Sequence, residues 1–155
     1  MYILNDILNK SEINKDDFSR RAIVIGLIVQ ELSINPGYQN RRISSTIDLI
    51  NRGLNCNQVE LFFDHTGKMI GYIFWACISD LIENDMLLNP QFVPKETEIT
   101  SGNNLWILDF YALSGQVKKI LKLLPERVFH NVKQVTYFRI KNKKRIVKRI
   151  KITRN

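Results

Sequence analysis

Apolar and polar positions alternate along this chain with two different periods. Residues 18–33 (FSRRAIVIGLIVQELS) are apolar nearly all round, which predicts a buried helix capped by Asp16 or Asp17. Asn35-Pro36-Gly37 breaks it. In residues 40–53, Ile43, Ile47 and Ile50 recur at helical spacing, and Gly53 is placed to serve as the residue just past the helix end. The period then changes to two. Val59, Leu61 and Phe63 alternate with Gln58, Glu60 and Phe62, Asp64 to Gly67 reads as a turn, and Met69 to Ile78 reads as a second strand. A short helix is expected at 79–88 and a loop at 90–102. Leu105 to Leu113 is the most hydrophobic run and reads as a central strand buried on both faces. An amphipathic helix over 115–124 is expected to stop at Pro125. Residues 132–140 and 144–152 read as a final strand pair. This order predicts an α/β (α+β) fold, with a mixed central sheet flanked by helices in one domain over 1–155.

Length and composition agree with that reading. The chain has 155 residues, 45% apolar and 25% charged, which excludes disordered and low-complexity classes. Its apolar runs fall short of the roughly 18 residues of a membrane span. The first residues carry no basic segment followed by an apolar one, so no secretory signal is expected. Cys56 and Cys77 make no disulfide framework, and the expected compartment is the cytoplasm.

The net charge of +8 is concentrated at one end. Residues 137–155 hold nine of the 23 basic residues and none of the 15 acidic ones, so the remainder is near neutral at −1 (14 basic, 15 acidic). Ile140, Ile146, Ile150 and Ile152 in this segment predict that it packs rather than dangles. A solvated basic face is the simplest reading. An acidic partner is the next. Nucleic acid ranks last, because the chain has no helix-turn-helix, zinc-finger or RNP pattern.

Asp109 is the position that does not fit its surroundings. It interrupts the apolar run Trp106-Ile107-Leu108-Asp109-Phe110-Tyr111. A lone buried carboxylate costs several kcal/mol, so it must be paired, hydrogen-bonded or placed at a cleft. No group of Cys and His has metal-ligand spacing, and no metal is expected.

The stretch Thr100-Ser101-Gly102 followed by Trp106 to Ala112 resembles the signature of the toxin-activating lysine acyltransferases, which fatty-acylate RTX toxins. Gly71-Tyr72-Ile73-Phe74-Trp75-Ala76 and Lys118-Lys119-Ile120-Leu121-Lys122-Leu123-Leu124-Pro125 resemble neighbouring segments of the same family. The likeness covers most of residues 24–140 and implies a fold similar to the GNAT acyltransferases. It implies a cytoplasmic enzyme acting on a toxin precursor, working as a homodimer or hetero-oligomer. It implies acyl carrier protein, rather than acetyl-CoA, as donor, and no tightly bound cofactor. Consistently, the chain lacks the Gln/Arg-x-x-Gly-x-Gly pyrophosphate loop, and only Gly115 stands at that turn.

The family's catalytic pair is a His after the first helix, in a Ser-Pro-x-His pattern, and the Asp of the central strand. Asp109 carries over. Asn35-Pro36-Gly37-Tyr38 replaces the other motif, with Tyr38 in the place of the His and Asn35 in that of the Ser. A phenol, with an ordinary pKa of about 10, is a poor base at neutral pH. His65 in the hairpin turn and His130 are weak substitutes. A siderophore-microcin branch of the same family accommodates the departure. Its members join a glycosylated catecholate siderophore to the carboxyl end of a microcin precursor, together with a partner maturation protein. ATP and Mg²⁺ would then act in the complex. The resemblance carries catalysis over to Asp109; Tyr38 is expected to act with it, Asn35 and Trp106 to contact substrate, and Lys118, Lys119 and Lys122 to dock an acidic partner unless they form only a solvated helix face. A non-catalytic subunit is the remaining alternative.

Overall fold

A computed structural model describes residues 1–4, 17–38, 42–89, 91–129, 132–142 and 144–152. Asp16 and His130 lie outside the described residues. Among these residues are six strands in one sheet, β1 (Tyr2–Ile3), β2 (Val59–Phe63), β3 (Met69–Ile78), β4 (Asn104–Ala112), β5 (Gln134–Lys141) and β6 (Lys144–Lys151). Four helices pack on it, α1 (Asp17–Ile34), α2 (Ile43–Asn55), α3 (Asp80–Leu88) and α4 (Val117–Arg127). The sheet order is β1 to β6 in sequence. Every neighbouring pair is antiparallel except β4 and β5, which α4 connects as a parallel crossover. This is the α+β architecture with a mixed sheet that the element order predicts, and it is consistent with the GNAT-like fold that the resemblance implies.

The pleat sends alternate residues to opposite faces. Leu61, Phe63, Tyr72 and Tyr111 meet Val24, Ile28, Leu32 and Ile50 of α1 and α2. Phe62, Ile70, Ile73 and Leu105 meet Ile120 and Leu124 of α4 on the other face. A third cluster joins Phe74, Ala76, Ile78 and Trp106 to Ile82 and Met86 of α3. No described helix is long and apolar enough to cross a membrane.

Several local expectations are corrected. Helix α1 buries one face, through Val24, Ile28 and Leu32, while Phe18 and Ile34 are exposed. Asp17 is its first helical residue rather than its cap. Gly53 lies inside α2 rather than past its end. A Cβ there would stand 2.4 Å from Val59 Cγ2 and 2.7 Å from Phe74 Cδ2, so glycine lets the helix approach the sheet. The residue past the helix end is Asn57, at φ 54°. Asn57 N–H donates to Leu54 O at 3.2 Å and Gln58 N–H to Gly53 O at 2.7 Å, the paired bonds of a Schellman end. Pro125 sits in the last turn of α4, where the helix runs on to Arg127. Strand β1, unanticipated, pairs Tyr2 with Phe63.

The final strand pair forms as expected, and Ile152 packs against the α4-face cluster, but the other three isoleucines do not pack. Ile140 is 73% exposed, Ile150 49% and Ile146 36%. Strand β4 is less buried than its hydrophobicity predicts, with positions 107–110 half-buried. The reason lies in its partner. Parallel pairing of β4 with β5 covers only Trp106↔Thr136 and Ile107↔Tyr137, and the strands part beyond it.

Candidate active site

Immediately after the last β4–β5 pair, the register between β3 and β4 shifts. Trp75 pairs with Ile107 and Phe74 with Asp109, leaving Leu108 as an extra residue. This bulge reverses the pleat. Ile107 stays on the α4 face, while Asp109 and Tyr111 turn to the α1–α2 face, where Tyr72 and Phe74 lie. Bulges recur beside active sites because they re-aim a side chain in this way. Asp109 therefore stands at the fork where β4 loses β5, which resolves the problem of a carboxylate in an apolar strand.

Hydrogen bonds from the neighbouring strand and from the backbone hold the Asp109 carboxylate. Tyr72 OH donates to Oδ2 at 2.7 Å and Phe110 N–H to Oδ1 at 3.1 Å. Tyr72 and Tyr111 are direct cross-strand partners, and their rings stack at 6.0 Å with 26° between planes. Tyr111 OH donates, at a long 3.4 Å, to Oε2 of Glu31, a buried carboxylate of α1. Tyr38 reaches the same cluster from outside the sheet. A 3-10 turn over Pro36–Tyr38 follows α1, and Tyr38 N–H donates to Asn35 O at 2.9 Å. The Tyr38 ring then meets Tyr111 edge-on at 5.6 Å and 82°. The structure thus gathers Tyr38, Tyr111, Tyr72 and Asp109 on one face, with Glu31 behind them.

Chemically, this face offers a fixed carboxylate able to accept a proton and phenols able to donate hydrogen bonds. It supplies no imidazole among the described residues. His65 is exposed in the β2–β3 turn, where Asp64 binds Thr66 N–H at 2.8 Å and Lys68 N–H at 3.1 Å. These bonds, with the Thr66 hydroxyl first, hold the Asp64 carboxyl below its ordinary range. Burial pushes the Cys77 thiol up, and burial with the nearby Glu96 charge does the same to Cys56. Both are thereby kept from the reactive thiolate form. Among the described residues no three His, Cys, Asp or Glu side chains group as metal ligands.

The remaining expected residues lie elsewhere. Trp106 is fully buried, so it presents no surface to a substrate. Its Nε1–H donates to Glu83 Oε1 at 2.9 Å and its ring packs on Phe138 at 4.9 Å. Lys118, Lys119 and Lys122 are exposed on α4, across the sheet from Asp109. Ser101 and Gly102 shape the approach to β4. Ser79 N–H donates to Ser101 Oγ at 3.1 Å, and a Cβ on Gly102 would stand 2.5 Å from Ile78 O. Sequence reasoning did not single out Tyr72, Tyr111 and Glu31. A hydroxyl or carboxylate inside an otherwise apolar run is the same signal that marked Asp109.

A family model for HlyC, the RTX toxin acyltransferase family, matches residues 19–154. The chain belongs to this family. Membership makes it an acyltransferase and ties it to the maturation of a toxin polypeptide. The chain is also 28% identical over 109 residues to the uncharacterized protein sll0720 of Synechocystis sp., covering 70% of this chain and 74% of that one.

Proposed function

We propose that this RTX toxin acyltransferase family member joins a glycosylated siderophore to the C-terminal carboxyl of a microcin precursor, with a partner maturation protein. The observation that carries the reading is the replacement of the family's imidazole by a phenol, Tyr38, packed on Tyr111 beside the Tyr72–Asp109 pair. With a phenol rather than an imidazole at position 38, that position forms no acyl-imidazole intermediate to carry a fatty acid to lysine. A carboxylate flanked by aromatic rings suits a different acceptor, a sugar hydroxyl bearing an aromatic catecholate.

In this reading the peptide carboxyl arrives activated by ATP and Mg²⁺ in the complex. The sugar hydroxyl attacks the activated carbonyl and its proton passes to Asp109. The new C–O bond forms as the phosphate-bearing leaving group departs. Tyr38 donates a hydrogen bond to the reacting carbonyl, and Asn35, in the preceding turn, contributes a second polar contact to the substrate. Proton transfer of this kind contributes about a hundred- to ten-thousand-fold in rate.

Intact mass of a microcin precursor tests this, after co-expression with this chain, its partner and a glycosylated siderophore supply. The expected result is a siderophore-sized gain that disappears in Asp109→Asn, which keeps an oxygen for Tyr72. A fatty-acyl gain on lysine of an RTX protoxin, supplied by acyl carrier protein, would refute the microcin reading and restore the orthodox family reaction. Modification by neither route would make the chain a non-catalytic subunit.

A further inference from the structure

The sheet ends in two edge strands, the two-residue β1 and the eight-residue β6. Nothing among the described residues pairs with the outer side of β6. The ladder register shows which backbone groups face outward. Ile152 N–H donates to Lys133 O at 2.9 Å, so positions 133 and 152 exchange hydrogen bonds. Pairs alternate along an antiparallel ladder. Val135↔Ile150 and Tyr137↔Lys148 are then bonded pairs, while Thr136↔Arg149 and Phe138↔Val147 are not. The N–H and C=O groups of Arg145, Val147, Arg149 and Lys151 consequently point away from the sheet.

The side chains along this edge alternate too. Arg145, Val147, Arg149 and Lys151 lie on one face, and Ile146, Lys148 and Ile150 on the other. The basic ones are exposed, and no described residue of β5 or β6 is acidic. Arg145 lies over Phe138 at 4.9 Å and Arg149 reaches Glu83 at 3.4 Å, so these two side chains are already ordered on the sheet.

We infer that β6 docks an acidic, extended segment of the polypeptide this enzyme modifies, which adds to the sheet as a seventh strand. Backbone pairing supplies affinity in such additions, and side chains supply selectivity. Charge selects the occupant. A second copy would set basic strand against basic strand, and like charges directly opposite destabilise a pair. Acidic residues on one face of the added strand meet Arg145, Arg149 and Lys151, and apolar ones on the other face cover Ile146 and Ile150. The identity of the segment as substrate rests on the toxin-maturation reading, but its binding is measured without any acyl transfer.

The test is fluorescence anisotropy of a labelled ten-residue peptide alternating Glu and Val, added to the full chain at several salt concentrations. The expected result is binding that weakens with salt and is absent for the Lys/Val counterpart. Val147→Pro removes an outward N–H without touching charge or an internal ladder bond, and is expected to weaken binding about tenfold or more. Methylating alternate amide nitrogens of the peptide gives the same loss on the unmodified protein, which decides the matter should Val147→Pro not fold. Asp109→Asn leaves binding unchanged, separating this surface from the catalytic one. Absence of peptide binding overturns the inference. So does affinity indifferent to both Val147→Pro and amide methylation, or an oligonucleotide of equal charge binding as tightly, which would leave only a general polyanion surface.

Discussion

Removing one hydroxyl at the fork isolates what holds Asp109. Tyr72 is 1% exposed and its OH lies 2.7 Å from Asp109 Oδ2. Tyr72→Phe keeps the ring stacked on Tyr111 and deletes the hydroxyl that donates to Asp109. A hydrogen bond to a charged group contributes about 1.5–3 kcal/mol. If that energy orients the carboxylate during transfer, its loss slows the reaction about 10- to 150-fold, at about 1.4 kcal/mol per decade. Asp109→Asn should slow it about a hundred- to ten-thousand-fold. Because Tyr72 acts through Asp109, the double variant should fall within about threefold of Asp109→Asn alone, a strongly non-additive cycle. The assay is the initial rate of mass gain on the precursor with purified components, with thermal melting recorded for each variant. Multiplicative losses would show that Tyr72 acts on the substrate independently. An unchanged rate in a folded Tyr72→Phe variant would show that the bond has no catalytic consequence.

Two further predictions concern stability and reactivity. Gly53→Ala gains about 0.5–1 kcal/mol of helix propensity, but its Cβ would press on Val59 and Phe74, an overpacking that costs about 1–3 kcal/mol. A net loss of up to about 2.5 kcal/mol in urea unfolding is expected, and a stabilised variant would disprove the packing role. Burial raises the Cys77 thiol above its ordinary value of 9.0, so the folded state keeps a proton that the unfolded state releases. That contribution to stability is complete below pH 9.0 and declines as pH rises through the folded value, and Cys77→Ala should flatten the decline.

Periodicity and composition alone determined the run of elements, the β2–β3 hairpin, the sheet with helices on it, and the basic final strand pair. Those features arise from local hydrophobic spacing and turn residues, which a linear reading contains. Asp109 was legible for the same reason, as a charge placed where the local pattern demands an apolar residue. Gly53 shows where that reading ends. Its sequence context suits a helix terminus, but the distance to Val59 and Phe74, remote in spacing or strand, makes it a contact residue inside the helix. Pro125 likewise does not end its helix, which runs two residues further to Arg127. The face on which Asp109 lies was decided by tertiary structure. A period of two predicts one side for it, and the single extra residue Leu108 reverses that side. Such a bulge is a property of two strands in register, so it leaves no trace in either strand alone. The meeting of Tyr38, Tyr72, Tyr111 and Glu31 around it depends on that register and on α1 packing across the sheet, contacts up to 80 positions apart that only the folded chain brings together.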